Sequence, residues 1–154
     1  MNMTKAIEIF TLRYVKEQSV PYMDYMKANH ATSPDKVAEI MNDVFNIEEL
    51  PEEHFFLLCL NTKNHITNIS EVSHGTINAS LVRPADVFKR ALVANANAVI
   101  LVHNHPSGEI SPSQEDVTVT NRLRDCGDML GVPVLDHIII GHDRYYSFKE
   151  KGLL

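Results

Sequence analysis

The chain has 154 residues and a mass of 17.4 kDa, which fits one domain of the usual ~100 to 150 residues and excludes two independent cores. Hydrophobic residues make up 44% and charged residues 22%, too apolar a mixture for a disordered chain. The balance of 14 Lys+Arg against 20 Asp+Glu gives a net charge of −6 with neutral His, the opposite of the cationic surface on which non-specific nucleic-acid binding relies.

Residues 7–15 (IEIFTLRYV) carry strand-forming side chains on both faces and read as an edge or leading strand before a break at Pro21. Ser33-Pro34 reads as an N-cap and first helical residue, followed by Val37, Ile40, Met41, Val44 and Phe45 on one helical face. Residues 54–60 (HFFLLCL) are a nearly continuous apolar run, as in a strand buried on both faces. The polar turn 61–64 and a second strand through Glu71 complete a hairpin. Pro84 opens a helix with Val87, Phe88, Ala91 and Leu92 inward and Lys89 and Arg90 outward. Residues 98–102 (AVILV) form a central strand that ends in the turn His103-Asn104-His105-Pro106-Ser107-Gly108. Ser111-Pro112-Ser113-Gln114 reads as a capping box with proline at the first helical position, and that helix ends near Gly131. Residues 132–140 and 145–148 supply the last strands.

This order predicts an α/β fold, a mixed β-sheet flanked by helices. The single candidate boundary lies near Pro51; residues 1–50, a strand and a helix, are too few for a core of their own and are expected to pack on a catalytic domain of residues 51–154. Cys59 and Cys126 lie far apart without a C-x-x-C pattern and read as buried free thiols. No run approaches the ~18 apolar residues of a membrane span, and the N-terminus lacks the apolar centre of a signal peptide, so the expected location is the cytoplasm.

The count that stands out is eight histidines, because imidazole is the commonest metal ligand and the acid/base group of neutral pH. In an extended chain His103 and His105 point to the same side and can present two imidazoles to one metal ion. Pro106 disfavours helical geometry at His105 and keeps the pair extended. On the following helix Asp116, Thr120, Leu123, Gly127 and Leu130 share one stripe, whose apolar members set Asp116 against the core. A lone buried carboxylate there would be costly; a zinc ion would satisfy it. Two His nitrogens and one Asp oxygen leave the fourth position of a tetrahedral zinc for water, the catalytic pattern. For the general base, spacing leaves Glu71, Glu109 and Glu115 open. The bland alternatives are hydrogen-bonded turn histidines and an Asp116 that complements the helix dipole.

His103-x-His105, seven residues, Ser113, two residues and Asp116 resemble the H-x-H-x7-S-x2-D pattern of the JAMM (JAB/MPN) zinc metalloproteases. HNHPSG, PSQED, the upstream GTINASLVRPADVFKRAL and the downstream VLDHIIIG resemble the bacterial RadC family more closely. The resemblance implies the JAB/MPN fold, related to cytidine deaminases, with zinc held by His103, His105 and Asp116. It further implies Ser113 as donor to the water or oxyanion and Glu71, just before Ser73-His74-Gly75-Thr76, as general acid/base. The activity implied is hydrolysis of a peptide or isopeptide bond in a protein or peptide substrate.

Two departures mark this chain. Longer RadC proteins carry an N-terminal helix-hairpin-helix region typical of DNA contact, and residues 1–50 show no such glycine-bearing hairpin; the family's Arg-Glu pair after its proline is Ala85-Asp86 here. Three rival readings remain. A zinc deaminase needs H-x-E and P-C-x-x-C, and neither is near the site. A DNA-associated repair factor, after the family's traditional label, would have to rely on a local patch around Arg83, Lys89 and Arg90. A non-catalytic MPN scaffold generally lacks the ligands that are present here.

Overall fold

A computed structural model describes residue 11 and residues 15–19, 33–75 and 82–154. The strand expected at 7–15 lies outside the described residues apart from Thr11 and Val15. The described elements are α1 (Pro34–Phe45), a short 3-10 turn (Ile47–Glu49), β1 (Glu53–Leu60), β2 (Ile66–Gly75), α2 (Pro84–Val93), β3 (Ala98–Asn104), α3 (Gln114–Leu130), β4 (Val134–Gly141) and β5 (Arg144–Ser147). Among the described residues no helix is long and apolar enough to cross a membrane.

The five strands form one sheet in the order β2-β1-β3-β4-β5. Only β3 and β4 run parallel, joined through α3; the other neighbours are antiparallel. The sheet is therefore mixed, as the alternation of apolar runs and amphipathic helices predicts. Every residue of β3 is buried, because helices cover both of its faces. Val37, Ile40 and Met41 of α1 pack with Phe56, Leu58, Leu60, Ile100 and Val102 on one face. Val87, Phe88 and Ala91 of α2 and Val119 and Leu123 of α3 pack with Phe55, Leu57, Val99 and Leu101 on the other.

Two boundaries and two burial assignments differ from what the sequence predicts. Strand β3 runs two residues further than expected and takes His103 and Asn104 into the ladder, because both keep pairing with β4. Helix α3 starts at Gln114 with Ser113, not Ser111, as its N-cap: Ser113 Oγ accepts the Asp116 backbone N–H, and the Asp116 carboxylate accepts that of Ser113. Leu92 and Leu130, assigned to buried faces, are 49% and 45% exposed, since each lies in the last turn of its helix, beyond the reach of the sheet. Cys59 is buried, and desolvation pushes its thiol up to about 11; Cys126 is half-buried.

Helix α1 shares its core with β1 and β3, so residues 34–50 and the strands after Pro51 bury one continuous apolar surface. Met41 is completely buried there. Met41→Ala is expected to cost about 2 to 5 kcal/mol and to lower the midpoint of a single urea transition followed by far-UV circular dichroism. Two separated transitions would contradict the shared core.

Candidate metal centre

His103 lies at the C-terminal end of β3 and His105 one residue beyond it. The step of two brings both imidazoles to the face covered by α3, where Asp116 sits in that helix's first turn. His103 Nε2 is 3.0 Å from His105 Nε2 and 3.3 Å from Asp116 Oδ1; His105 Nε2 is 3.4 Å from Asp116 Oδ2. His103 is fully buried and Asp116 is 2% exposed. The sequence reading of these three as one cluster therefore agrees with the geometry, and the three can hold a metal ion.

The hydrogen bonds around the cluster decide which imidazole nitrogens carry protons. A backbone carbonyl only accepts, so Thr120 Oγ1 donates to the Asp116 carbonyl at 2.5 Å. With its one hydrogen so used, Thr120 accepts from His137 Nδ1–H at 2.6 Å. His137 Nε2 is then a lone pair and accepts from His103 Nδ1–H at 2.8 Å. His103 Nε2 is thereby left as a lone pair aimed into the centre. On the other side His105 Nδ1 donates to the Glu109 carbonyl at 2.7 Å, which leaves Nε2 of the neutral ring bare as well. Two lone pairs and a carboxylate within 3.4 Å repel one another unless a cation or a proton lies between them. This donor set fits zinc, which takes imidazole nitrogen and carboxylate oxygen.

The titration behaviour without metal agrees with that reading. At His105 burial opposes protonation, but the Asp116 side chain, the Glu109 carbonyl and the charge of Glu53 outweigh it and raise its pKa. At Asp116 burial favours the neutral acid, and the two imidazoles and Ser113 overcome it and hold the carboxyl far below its usual range. His137 is driven well below its ordinary value by complete burial and then by His103, in keeping with a neutral relay.

Glu71 does not join this centre. Strand β1 carries Phe55 opposite His103, the rings stacking at 5.9 Å, so odd-numbered β1 residues face the cluster. The register between β1 and β2 slips by one residue: Phe55 opposes Ser73 but Phe56 opposes Glu71, leaving Val72 as a bulge. Without the slip Glu71 would oppose Leu57 on the face of His103. With it, Glu71 turns to the α1 side and contacts His54 Nδ1 at 3.1 Å and His74 Nδ1 at 2.6 Å. The carboxylate on the cluster's face is Glu53, two residues before Phe55 on β1, whose charge reaches His105. Glu109 and Glu115 are exposed, and Glu109 serves the site through its carbonyl.

Ser113 stands beside Asp116, donating from Oγ to Asp116 Oδ2 at 2.7 Å. Its own backbone N–H donates to the same oxygen at 2.7 Å. Asn104, between the two histidines, points to the opposite face: its Oδ1 accepts from the His54 N–H at 2.7 Å and its Nδ2 donates to the Glu52 carbonyl at 3.0 Å. Asn104 thus clamps the segment that bears Glu53. Thr120 was legible on the helical stripe of Asp116; His137, Asn104 and Glu53 depend on strand pairings that no local pattern announces. In the basic patch weighed for DNA, Arg83 and Lys89 share the single carboxylate of Asp86 and Arg90 donates to the Asp86 carbonyl.

Comparison with known proteins gives a family. The RadC-like JAB domain family matches residues 31–153. A UPF0758 protein of Desulfitobacterium hafniense is 50% identical over 122 residues, 79% of this chain and 53% of that protein. One of Staphylococcus haemolyticus is 45% identical over 129 residues, 84% of this chain and 56% of that protein. One of Clostridium botulinum is 39% identical over 154 residues, 100% of this chain and 66% of that protein. The chain thus spans between half and two thirds of the length of these relatives.

The raised pKa of His105 gives a signed prediction. Its contribution to the metal-free fold is present below the unfolded value of about 6.5 and is lost as pH rises through the folded value. Zinc competes with that proton, so it binds more tightly at higher pH. Melting temperatures of metal-free protein are expected to fall between pH 6 and pH 8, and the increment from added zinc to grow over the same range. An increment that shrinks would contradict the assignment.

Proposed function

We propose, from the premise that the chain belongs to the RadC-like JAB domain family, that it is a zinc-dependent hydrolase acting on peptide or isopeptide amide bonds. The observation that carries this reading is the pair of Nε2 lone pairs gathered on the Asp116 carboxylate, with the charge of half-buried Glu53 acting on His105. Zinc bound to His103, His105 and Asp116 would supply carbonyl polarisation and a water of lowered pKa.

The chain's own residues do the rest. His137 and Thr120 hold His103 in the tautomer that presents Nε2. Glu53, replacing Glu71 in this role, takes a proton from the attacking water and returns it to the leaving amine nitrogen as the C–N bond breaks and the C–O bond forms. Asn104 keeps the Glu53 segment at the strand end. Ser113 releases its hydroxyl hydrogen from Asp116 to the developing oxyanion, while its backbone N–H stays on the carboxylate. The substrate class is a protein or peptide chain.

The test compares the cleavage products of a cell proteome exposed to the wild type, Glu53→Gln and Glu71→Gln. Glu53→Gln should keep its zinc and lose about 10²- to 10⁴-fold in rate, whereas Glu71→Gln should cleave like the wild type. Cleavage by Glu53→Gln at the wild-type rate would remove Glu53 from the mechanism, and an absence of any zinc-dependent cleavage would remove the hydrolase reading.

Two positioning roles are separable from it. Thr120→Val breaks the tautomer relay and should weaken zinc binding by about 10- to 100-fold, measured by competition with a chromogenic chelator; unchanged affinity would show the relay to be irrelevant. Ser113→Ala should lose about 0.5 to 2 kcal/mol of stability as a missing cap and, separately, turnover worth about 2.7 to 4 kcal/mol. A stability loss with full turnover would leave Ser113 as a cap alone.

A further inference from the structure

Six of the eight histidines have no part in the metal motif, and the structure gathers two of them away from the buried centre. His54 of β1 and His74 of β2 are direct cross-strand partners, with ring centroids 5.4 Å apart and planes 25° from parallel. The β-bulge at Val72 turns Glu71 to the same face. One carboxylate oxygen, Oε1, lies 3.1 Å from His54 Nδ1 and 2.6 Å from His74 Nδ1. Beside His103, His105 and Asp116, this is the other set among the described residues whose three ligand atoms lie within 4.8 Å of one another.

We propose that His54, Glu71 and His74 form a second divalent-metal site, of the His₂Glu donor class that binds Zn²⁺, on the sheet face opposite the buried centre. Two imidazole nitrogens and a carboxylate oxygen suit zinc and the neighbouring borderline metals rather than magnesium or calcium. The ligand atoms of a tetrahedral zinc with bonds of about 2.0 to 2.1 Å lie about 3.3 to 3.4 Å apart. To admit the ion, Glu71 Oε1 separates from His54 Nδ1 by a few tenths of an ångström and from His74 Nδ1 by roughly 0.7 Å, and His74, with its side chain 64% exposed, has the freedom to do so. Both nitrogens exchange a hydrogen bond to one shared oxygen for a bond to the ion. Glu71 and His74 are exposed, 38% and 64% at the side chain, so solvent can supply the other ligands.

The site differs from the buried one in kind. His103 and His105 are oriented by hydrogen bonds from their far nitrogens, and His103 and Asp116 are sealed from solvent. The His54–Glu71–His74 set is half-exposed to exposed. Weaker binding and faster exchange follow, as expected of a site sensitive to the prevailing metal concentration rather than one that keeps its ion.

Zinc titration of the full, chelator-stripped chain by calorimetry, with bound metal counted by elemental analysis, tests this. The wild type should bind two Zn²⁺ in a tight and a weaker class. His74→Ala and Glu71→Ala should each bind one, in the tight class, with unchanged circular dichroism, and His105→Ala should keep the weaker class. A wild type with one equivalent, or a His74→Ala variant that still binds two, would overturn the proposal. Failure of the buried centre reads differently: His105→Ala would then bind as many ions as the wild type.

Discussion

Three electron-rich groups, the Nε2 atoms of His103 and His105 and the carboxylate of Asp116, meet at contacts of 3.0 to 3.4 Å at the margin of an apolar core. Such an arrangement is repulsive by itself, and the fold sustains it by fixing the far side of each ring. The carbonyl of Asp116, which only accepts, sets the hydroxyl of Thr120; Thr120 sets His137, and His137 sets His103. The relay begins and ends at two metal-ligand candidates, so the helix that supplies the carboxylate also determines the tautomer of the strand histidine. A proton or a cation completes the cluster, and its two imidazole nitrogens and one carboxylate are donors that can hold a metal ion.

The sheet separates two environments by alternation. On β1, Glu53 and Phe55 face the buried centre, while His54 and Phe56 face α1. On β3, His103 faces α3, and Asn104 reaches the other way to hold the backbone of Glu52 and His54. Each strand end thus serves both faces. Asp136 ties the far side together by accepting from the His137 backbone, the Ser147 hydroxyl and the Lys149 backbone, which pins the relay histidine to β5 and the C-terminal turn. The loop after His105 is held equally closely: Gly108 has φ +77 and lies against the His142 ring, where a Cβ would not fit.

Around α2, Arg83 and Lys89 share the single carboxylate of Asp86, within a chain of net charge −6. Asp86 is the acidic residue of the first turn of α2. The candidate metal centre draws Asp116 from the N-terminus of α3, where its negative charge is favoured by the helix dipole.

What the sequence determined by itself was whatever rests on short-range periodicity and spacing. The apolar runs of β1 and β3, the amphipathic stripes of the helices and the H-x-H-x7-S-x2-D spacing each depend on residues a few positions apart, and these placed His103, His105, Asp116 and Ser113 together. Tertiary structure alone decided the face on which Glu71 lies. A single extra residue at Val72 reverses the alternation of β2 and sends Glu71 to His54 and His74, while Glu53 of β1 acts on His105 through its charge. Strand pairing has a period of two, so a one-residue slip exchanges the faces of a whole segment. That slip is set by packing between strands, for which no residue of the hairpin carries a mark.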